Sequence, residues 1–353
     1  MTEFKQRIIR FLNKTDKNIL YVILGKSDCF YLSGFTSSNA YILISNKNSY
    51  YYTDGRYYYA AKNKIKHLKV RLLKKNIFET IKKISAGKKI TLFKKEISYS
   101  FYDNLKKKIS AKNIILSSEN LISERRFKSS SEIINIKTAS EITCKTLNEI
   151  KKKFISGITE LELKTELEYL LKKNGSDDLA FESIVLFGKN TANPHGHSSL
   201  KKLSGNDIIL IDCGAKYNGY CSDITRMFCA GKPSAYFAAT YKVLLDLQCS
   251  ALSKLKEGIF ISDIEKNILS VLKKFKLKKY YLHSTGHGVG IDIHENPAIN
   301  KNNNDKLMAG DVITIEPGIY LTNKFGIRIE DTVLINKKGC EILTIESDKS
   351  YTN

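Results

Sequence analysis

A chain of 353 residues, 42% hydrophobic and 10% aromatic, carries enough apolar surface to bury a core in each of two domains. That composition excludes a disordered polypeptide, and no segment approaches the roughly 20 apolar residues needed to cross a bilayer, so neither disorder nor membrane insertion is expected. The net charge of +22, from 58 basic and 36 acidic residues, raises the question of nucleic acid, but the lysines are spread along the whole chain, so a solvated basic surface is expected and no nucleic-acid partner.

The first 25 residues place Lys5, Arg7, Arg10, Lys14 and Lys17 among the apolar positions, which is not the pattern of a signal peptide. Seven cysteines, an odd number, then point to reduced thiols and a cytoplasmic protein. Cys213, Cys221 and Cys229 recur every eight residues, yet none belongs to a CxxC pair, so a thiolate metal site is not expected.

Strands are expected at Ile19–Leu24, Ala40–Ile44 and Ser49–Tyr52, bounded by Gly25, Asn46 and Asp54-Gly55, with helices over 56–64 and 76–84. This is an α/β layer arrangement. A different pattern starts at Ser129, which with Glu132 forms a capping box. Ile136, Ala139, Ile142, Leu147, Ile150 and Phe154 follow at near-helical spacing, and Gly157 suits the stop. Thr159 and Glu162 open a second helix bearing Leu163, Leu167, Leu170 and Leu171, ended by Asn174-Gly175. Strands are expected at 183–187, 207–213 and 220–228.

The same order then recurs. A helix covers about 235–256 up to Gly258, Ser262 with Glu265 caps another, and strands are expected near 280–282, 311–316 and 326–335. Two helices followed by a β ribbon, twice over, make an internal pseudo-twofold repeat of α+β class. The domain boundary falls near residue 125, giving domains 1–125 and 126–353.

The repeat is also visible residue by residue. Ile209-Leu210-Ile211-Asp212-Cys213-Gly214 and Ile313-Thr314-Ile315-Glu316-Pro317-Gly318 each run into a carboxylate and a glycine, and each is followed by a β segment with a central carboxylate, Asp223 or Glu330. Asn218-Gly219 is the strongest two-residue hairpin signal in the chain. With that turn, Tyr217 faces Tyr220 and Asp212 faces Thr225, so Asp223 shares the face of Asp212 as its diagonal neighbour. Arg328 and Glu330 likewise share a face, opposite Ile327 and Ile329, while Pro317 ends the strand that carries Glu316. Between the ribbons lies Gly286-His287-Gly288, whose glycines argue against a helix-borne zinc pair with His283.

Four carboxylates and one imidazole balance two divalent cations, and an oxygen-rich set favours Mn first, with Co, Fe or Zn as alternatives. Paired metals imply hydrolysis. A single Asp or Glu at a strand end is ordinarily a turn or cap residue, so the weight rests on the set. Five of the six histidines, His195, His197, His283, His287 and His294, gather around the ribbons; His197 is the expected bystander.

Several stretches resemble the pita-bread metallopeptidases of the creatinase, aminopeptidase P and prolidase type, in the Xaa-Pro branch. They are Pro194-His195-Gly196, Ile211–Gly214 with Gly219–Arg226, Ser284–Gly290 with His294–Pro297, Thr314–Tyr320 and Gly326–Asp331. Arg126–Ser129 with Glu132-Ile133 matches the start of that catalytic domain, and Tyr31–Phe35 and Thr53–Tyr57 resemble its creatinase-type N-terminal module, so the likeness spans nearly the whole chain.

The resemblance implies that Asp212, Asp223, His287, Glu316 and Glu330 hold two metal ions, with Asp223 and Glu330 bridging them. It further implies that a hydroxide shared by the metals attacks the scissile carbonyl and that Glu316 handles its proton. His294 would steady the carbonyl oxygen, His195 would contact the scissile nitrogen side, and His283 and Arg328 would bind the proline end, with Arg328 also able to orient Glu330. The substrates implied are short proline-containing peptides, cut in dipeptides or at the N-terminus, and the assembly implied is a homodimer. Competing expectations are a non-enzymatic peptidase-like binding protein with a basic nucleic-acid-binding surface, a metal-free hydrolase of guanidino compounds, and a methionine aminopeptidase, whose relatives match the second domain alone.

Overall fold

The computed structural model describes residues 2–118 and 121–351. The chain divides into two compact units, Met1–Arg125 and Arg126–Asn353.

The first unit is built on a six-stranded sheet of β1 (Leu20–Ile23), β2 (Ala40–Ile44), β3 (Ser49–Thr53), β4 (Lys69–Leu72), β5 (Ile90–Phe93) and β6 (Ile114–Ser117), in the order β4-β3-β2-β1-β5-β6. Pairing is parallel in β1–β5, β5–β6 and β3–β4, and antiparallel in β1–β2 and β2–β3. Every residue of β1 and β5 is buried, as expected of apolar runs in a partly parallel sheet covered on both faces. The helices are α1 (Glu3–Asn13), α2 (Lys26–Ser33), α3 (Gly55–Lys64), α4 (Ile77–Ser85), α5 (Tyr99–Lys106) and α6 (Ile122–Arg125). Asp54, Asn76 and Ser98 each accept a bond from the first turn of the helix that follows, which fixes three of these starts in the local sequence.

The second unit contains the repeat. Its first half has α7 (Ser130–Ile150) and α8 (Glu160–Lys173), both opened by complete capping boxes. Strands β7 (Asp178–Leu179), β8 (Ile184–Phe187), β9 (Ile208–Cys213), β10 (Ala215–Tyr217), β11 (Tyr220–Cys221) and β12 (Ile224–Cys229) follow. The second half has α9 (Ala235–Leu252) and α10 (Ile261–Lys274), then β13 (Gly286–Gly288), β14 (Glu295–Ile299), β15 (Val312–Ile315), β16 (Gly318–Leu321), β17 (Phe325–Arg328), β18 (Asp331–Ile335) and β19 (Cys340–Ile342).

Four expectations need correction. Helix α7 stops at Ile150, before a 3-10 turn at Lys151–Lys153, because the backbone at Gly157 and Ile158 is taken by Leu203 in a pairing no helix could share. Helix α9 likewise ends at Leu252, short of 256. Ser262 and Glu265 do not cap α10: the helix starts at Ile261, whose N–H donates to Asp305, and Glu265 accepts from the Lys301 N–H. Tertiary pairing of the preceding loop with residues 305–307 pulled the start forward. Residues 280–282 form no strand; pairing begins at Gly286, where glycine is required. A Cβ on Gly286 would lie 2.0 Å from the Thr314 carbonyl oxygen, and one on Gly288 would lie 2.3 Å from that of Asn296.

Alternation along the strands positions the site. On β9, Ile209, Ile211 and Cys213 enter the core against α7 and α8, while Ile208 and Leu210 face the core of α9 and α10. Asp212 continues the second row at the strand end. On β12, Ile224 and Phe228 join the first core and Met227 the second, so Thr225 lies on the face of Asp212. In the second half Ile313, Ile315, Ile319, Ile327 and Ile329 fill the core, which turns Glu316, Tyr320, Arg328 and Glu330 the other way. The halves are tied at this seam: Glu330 N–H donates to the Thr225 carbonyl at 3.3 Å, and the Thr332 hydroxyl to that of Asp223 at 2.7 Å.

Candidate active site

The hairpin register counted from the sequence is the one observed. Tyr217 pairs with Tyr220 and Asp212 with Thr225 across a turn in which Asn218 and Gly219 have φ of 48° and 83°. Ser222 and Asp223 interrupt the second strand, between β11 and β12. The second ribbon is interrupted at Ile329-Glu330, between β17 and β18, so each bridging candidate sits at a break in its strand.

Asp212, Asp223, Glu316 and Glu330 meet His195, His283, His287, His294 and Arg328 around one cavity of about 400 Å³. Asp223, His287 and Glu330 present ligand atoms all within 4.8 Å of one another. His287 Nε2 lies 3.5 Å from Asp223 Oδ2 and 3.7 Å from Glu316 Oε1. Its Nδ1 is 3.0 Å from the Gly288 carbonyl, which only accepts, so Nδ1 carries the proton and the Nε2 lone pair is free for the carboxylate side.

Arg328 is engaged on every side. It donates to Asp212 Oδ2 at 2.6 Å, to the Thr225 hydroxyl at 2.9 Å, to the Tyr320 hydroxyl at 2.8 Å and to the Pro194 carbonyl at 3.3 Å. Its link to Glu330 is indirect, through Thr225, whose hydroxyl donates to Glu330 Oε2 at 2.7 Å. The Tyr320 hydroxyl also lies 2.8 Å from His283 Nε2, and His283 Nδ1 is 2.8 Å from the Ser284 carbonyl. The hydroxyl therefore donates to a lone pair on Nε2, and the His283 tautomer is set. His195 and His294 are exposed at the cavity, the His294 ring lying edge-on to His287 with centroids 4.3 Å apart.

Sequence reasoning assigned no role to Thr225 or Tyr320. Thr225 was identifiable as the partner of Asp212, and the alternation from Gly318 to Tyr320 offered a signal for the second.

Burial, reinforced by Glu330, Asp212 and Glu316, holds the Asp223 carboxyl well above the usual range. Burial with Glu316 and Asp212 does the same to Glu330, and burial, with Asp212 adding, pushes Glu316 up to about 8 against the pull of Arg328. Burial lowers His283 and His287 to about 4, keeping both rings neutral. Asp212 Oδ1 is buried with no hydrogen-bond partner among the described residues. Crowded carboxyl groups, a neutral imidazole lone pair and an orphaned carboxylate oxygen form the donor set that suits divalent cations.

Comparison with known proteins agrees with this chemistry. The family described as metallopeptidase family M24 matches residues 134–337, more than half of the chain. The chain belongs to that family. A Creatinase/Prolidase N-terminal domain matches residues 7–127. The Xaa-Pro dipeptidase of Pyrococcus horikoshii is 34% identical over 346 residues, covering 98% of this chain and 97% of the relative. Among solved structures, the X-Pro aminopeptidase of Thermotoga maritima superposes with a TM-score of 0.90 at 33% identity, over 98% of this chain and all of the other. The prolidase of P. horikoshii gives 0.91 at 32% identity, over 99% of this chain and 100% of the other. The protein is thus a two-part M24 metallopeptidase with the pita-bread fold, of a family that works with divalent metal ions.

Proposed function

We propose that the protein hydrolyses the bond between a first residue and proline, in Xaa-Pro dipeptides and at the N-terminus of short peptides. The observation that carries this reading is the convergence of Asp223, His287 and Glu330 within 4.8 Å, in a cavity also lined by Asp212 and Glu316. The relatives named above supply the preference for proline.

In this reading those five residues hold two divalent cations, Mn first, with Co, Fe or Zn able to replace it. When bound, the cations lower the pKa of water and polarise the scissile carbonyl. Glu316 takes up a proton from the attacking water and passes it toward the leaving nitrogen. His294 donates to the carbonyl oxygen as charge builds there, and His195 serves the nitrogen side. A prolyl nitrogen offers no N–H, so recognition must use shape instead. Phe181, Ile184 and Ile293 supply apolar lining. His283 and Arg328 are assigned to the proline end, and Arg328 also anchors Asp212.

All seven cysteines are free and five are buried, which supports a reducing cytoplasmic setting. No helix among the described residues is long and apolar enough to cross a membrane. A homodimer completes the reading and is tested by light scattering. The nucleic-acid-binding alternative called for a degenerate metal site, whereas the carboxylates and His287 here are complete and convergent.

The deciding assay measures release of the first residue from Xaa-Pro and Xaa-Pro-Xaa peptides by protein loaded with Mn. Turnover of either class supports the proposal. Metal-loaded protein that cleaves neither, or that cleaves N-terminal methionine from peptides without proline equally well, overturns it.

A further inference from the structure

Helix α9 carries a glutamine where its apolar stripe should continue. Gln248 follows Leu244 and Leu247 on the buried side and is itself wholly buried. An amide in that position is costly unless its hydrogen bonds are met. Its Nε2 donates to the Ile315 carbonyl at 3.1 Å, to the Ile329 carbonyl at 3.2 Å and to Asp331 Oδ2 at 3.2 Å. Its Oε1 accepts from Lys349 Nζ at 2.9 Å. Three acceptors on one side and an ammonium on the other fix the amide orientation without ambiguity.

The two carbonyls belong to the residues that immediately precede Glu316 and Glu330. These carboxylates come from separate strands, β15 and the break after β17, and Gln248 bridges the backbones just before them. The bridge is secured from behind by the C-terminal segment. Lys349 also pairs with Asp331, and the Thr344 hydroxyl donates to Asp331 Oδ1 at 2.8 Å. Arg226 donates to Asp331 at 2.7 Å, to the Glu330 carbonyl, and to the carbonyls of Thr344 and Ser347 at 3.3 and 3.0 Å. Tyr241, two turns before Gln248 on the same face of α9, donates to the Lys349 carbonyl, and Tyr351 packs edge-on against Tyr241.

We infer that Gln248 is a positioning residue that sets the separation of Glu316 and Glu330, and that Lys349 of the C-terminal segment holds it in place, so that this segment tunes metal affinity. The inference rests on the metal-site reading above. Partners behind metal ligands typically change affinity by about 10- to 100-fold when removed. A residue that merely filled the core would lower the melting temperature and leave affinity alone.

The test is calorimetric titration of metal-free protein with MnCl2 for the wild type, Gln248→Met and Lys349→Met, with the metal-free melting temperature of each recorded. Methionine fills the glutamine volume and makes none of these bonds. The expected result is a Kd for Mn raised about tenfold or more in Gln248→Met, and raised by a smaller factor in Lys349→Met. Wild-type affinity in both variants overturns the inference and leaves the peptidase reading standing. A wild-type protein that binds no divalent metal overturns both. Should Gln248→Met fail to fold, Lys349→Met decides by the same criterion, since Lys349 is partly exposed and its loss leaves no core cavity.

Discussion

Arg328 and Asp212, one from each half of the repeat, are joined by a 2.6 Å charge-assisted bond at the wall of the cavity. The pair leaves Oδ2 of Asp212 occupied and Oδ1 without a hydrogen-bond partner among the described residues. One oxygen is thus anchored and the other is available to a cation.

From this pair the first prediction follows. Arg328→Met removes the charge that offsets Asp212 and the bonds to Thr225 and Tyr320. Breaking one side of a buried ion pair costs roughly 3–5 kcal/mol. We expect kcat/KM on an Xaa-Pro dipeptide to fall at least about 100-fold. Arg328→Lys should recover little, because an ammonium cannot keep four directed bonds. Steady-state kinetics at saturating Mn read both variants.

Removing metal should destabilise the fold as well as abolish hydrolysis. Ligand present at about 1,000 times Kd adds about 4 kcal/mol to stability, so dialysis against a chelator should lower the melting temperature by several degrees. Readdition of Mn should restore both properties. Scanning calorimetry with and without metal provides the check.

In metal-free protein the pH dependence has opposite signs from two sources. Glu316 has a folded pKa of about 8, above its usual value, so its contribution is full in acid and is lost as pH rises through 8. His283 and His287, lowered to about 4, bind fewer protons folded than unfolded below about 6.5, so their contribution is present above that pH and is lost as pH falls toward 4. Metal neutralises the carboxylates. The rise in melting temperature on adding Mn should therefore grow between pH 6 and 8, and a shift that shrinks over this range would contradict the assignment.

His294 is exposed and lies edge-on to the His287 ring, so it can be altered without disturbing the core. His294→Gln should lower kcat by about 10²–10³, the loss typical of a donor to a developing oxyanion, while Mn content stays at the wild-type level. Kinetics paired with metal analysis separate this from ligand loss.

Gly286→Ala tests the strand that carries His287. The added Cβ would fall 2.0 Å from the Thr314 carbonyl oxygen, a backbone atom that cannot step aside. Separating β13 from β15 should cost more than about 2 kcal/mol and weaken metal binding together, read by thermal unfolding and Mn titration.

Much of this architecture was legible in short stretches of chain. Capping boxes at Ser129 and Thr159 marked two helix starts correctly because the bonds that define them lie within four residues. The Asn218-Gly219 turn fixed the register of the first ribbon, and strand alternation then put Asp212 beside Thr225. Ser262 and Glu265 offered the same local signal and were overruled, since the loop before α10 pairs with residues 305–307. Strand β13 was missed because it spans three residues, two of them glycine, and exists only through its neighbours on both sides.

Periodicity and turn chemistry, which act over a few residues, were enough for the doubled helix-helix-ribbon plan and for the faces shared by Asp212 with Asp223 and by Arg328 with Glu330. The parts given to His195, His283 and His294 came from the family resemblance. Three relationships exist only in the folded chain: Arg328 anchors Asp212, Tyr320 sets the His283 tautomer, and Gln248 braces the strands behind Glu316 and Glu330. Each of these is a bond between side chains or carbonyls distant in the chain, fixed when the two halves closed on one cavity.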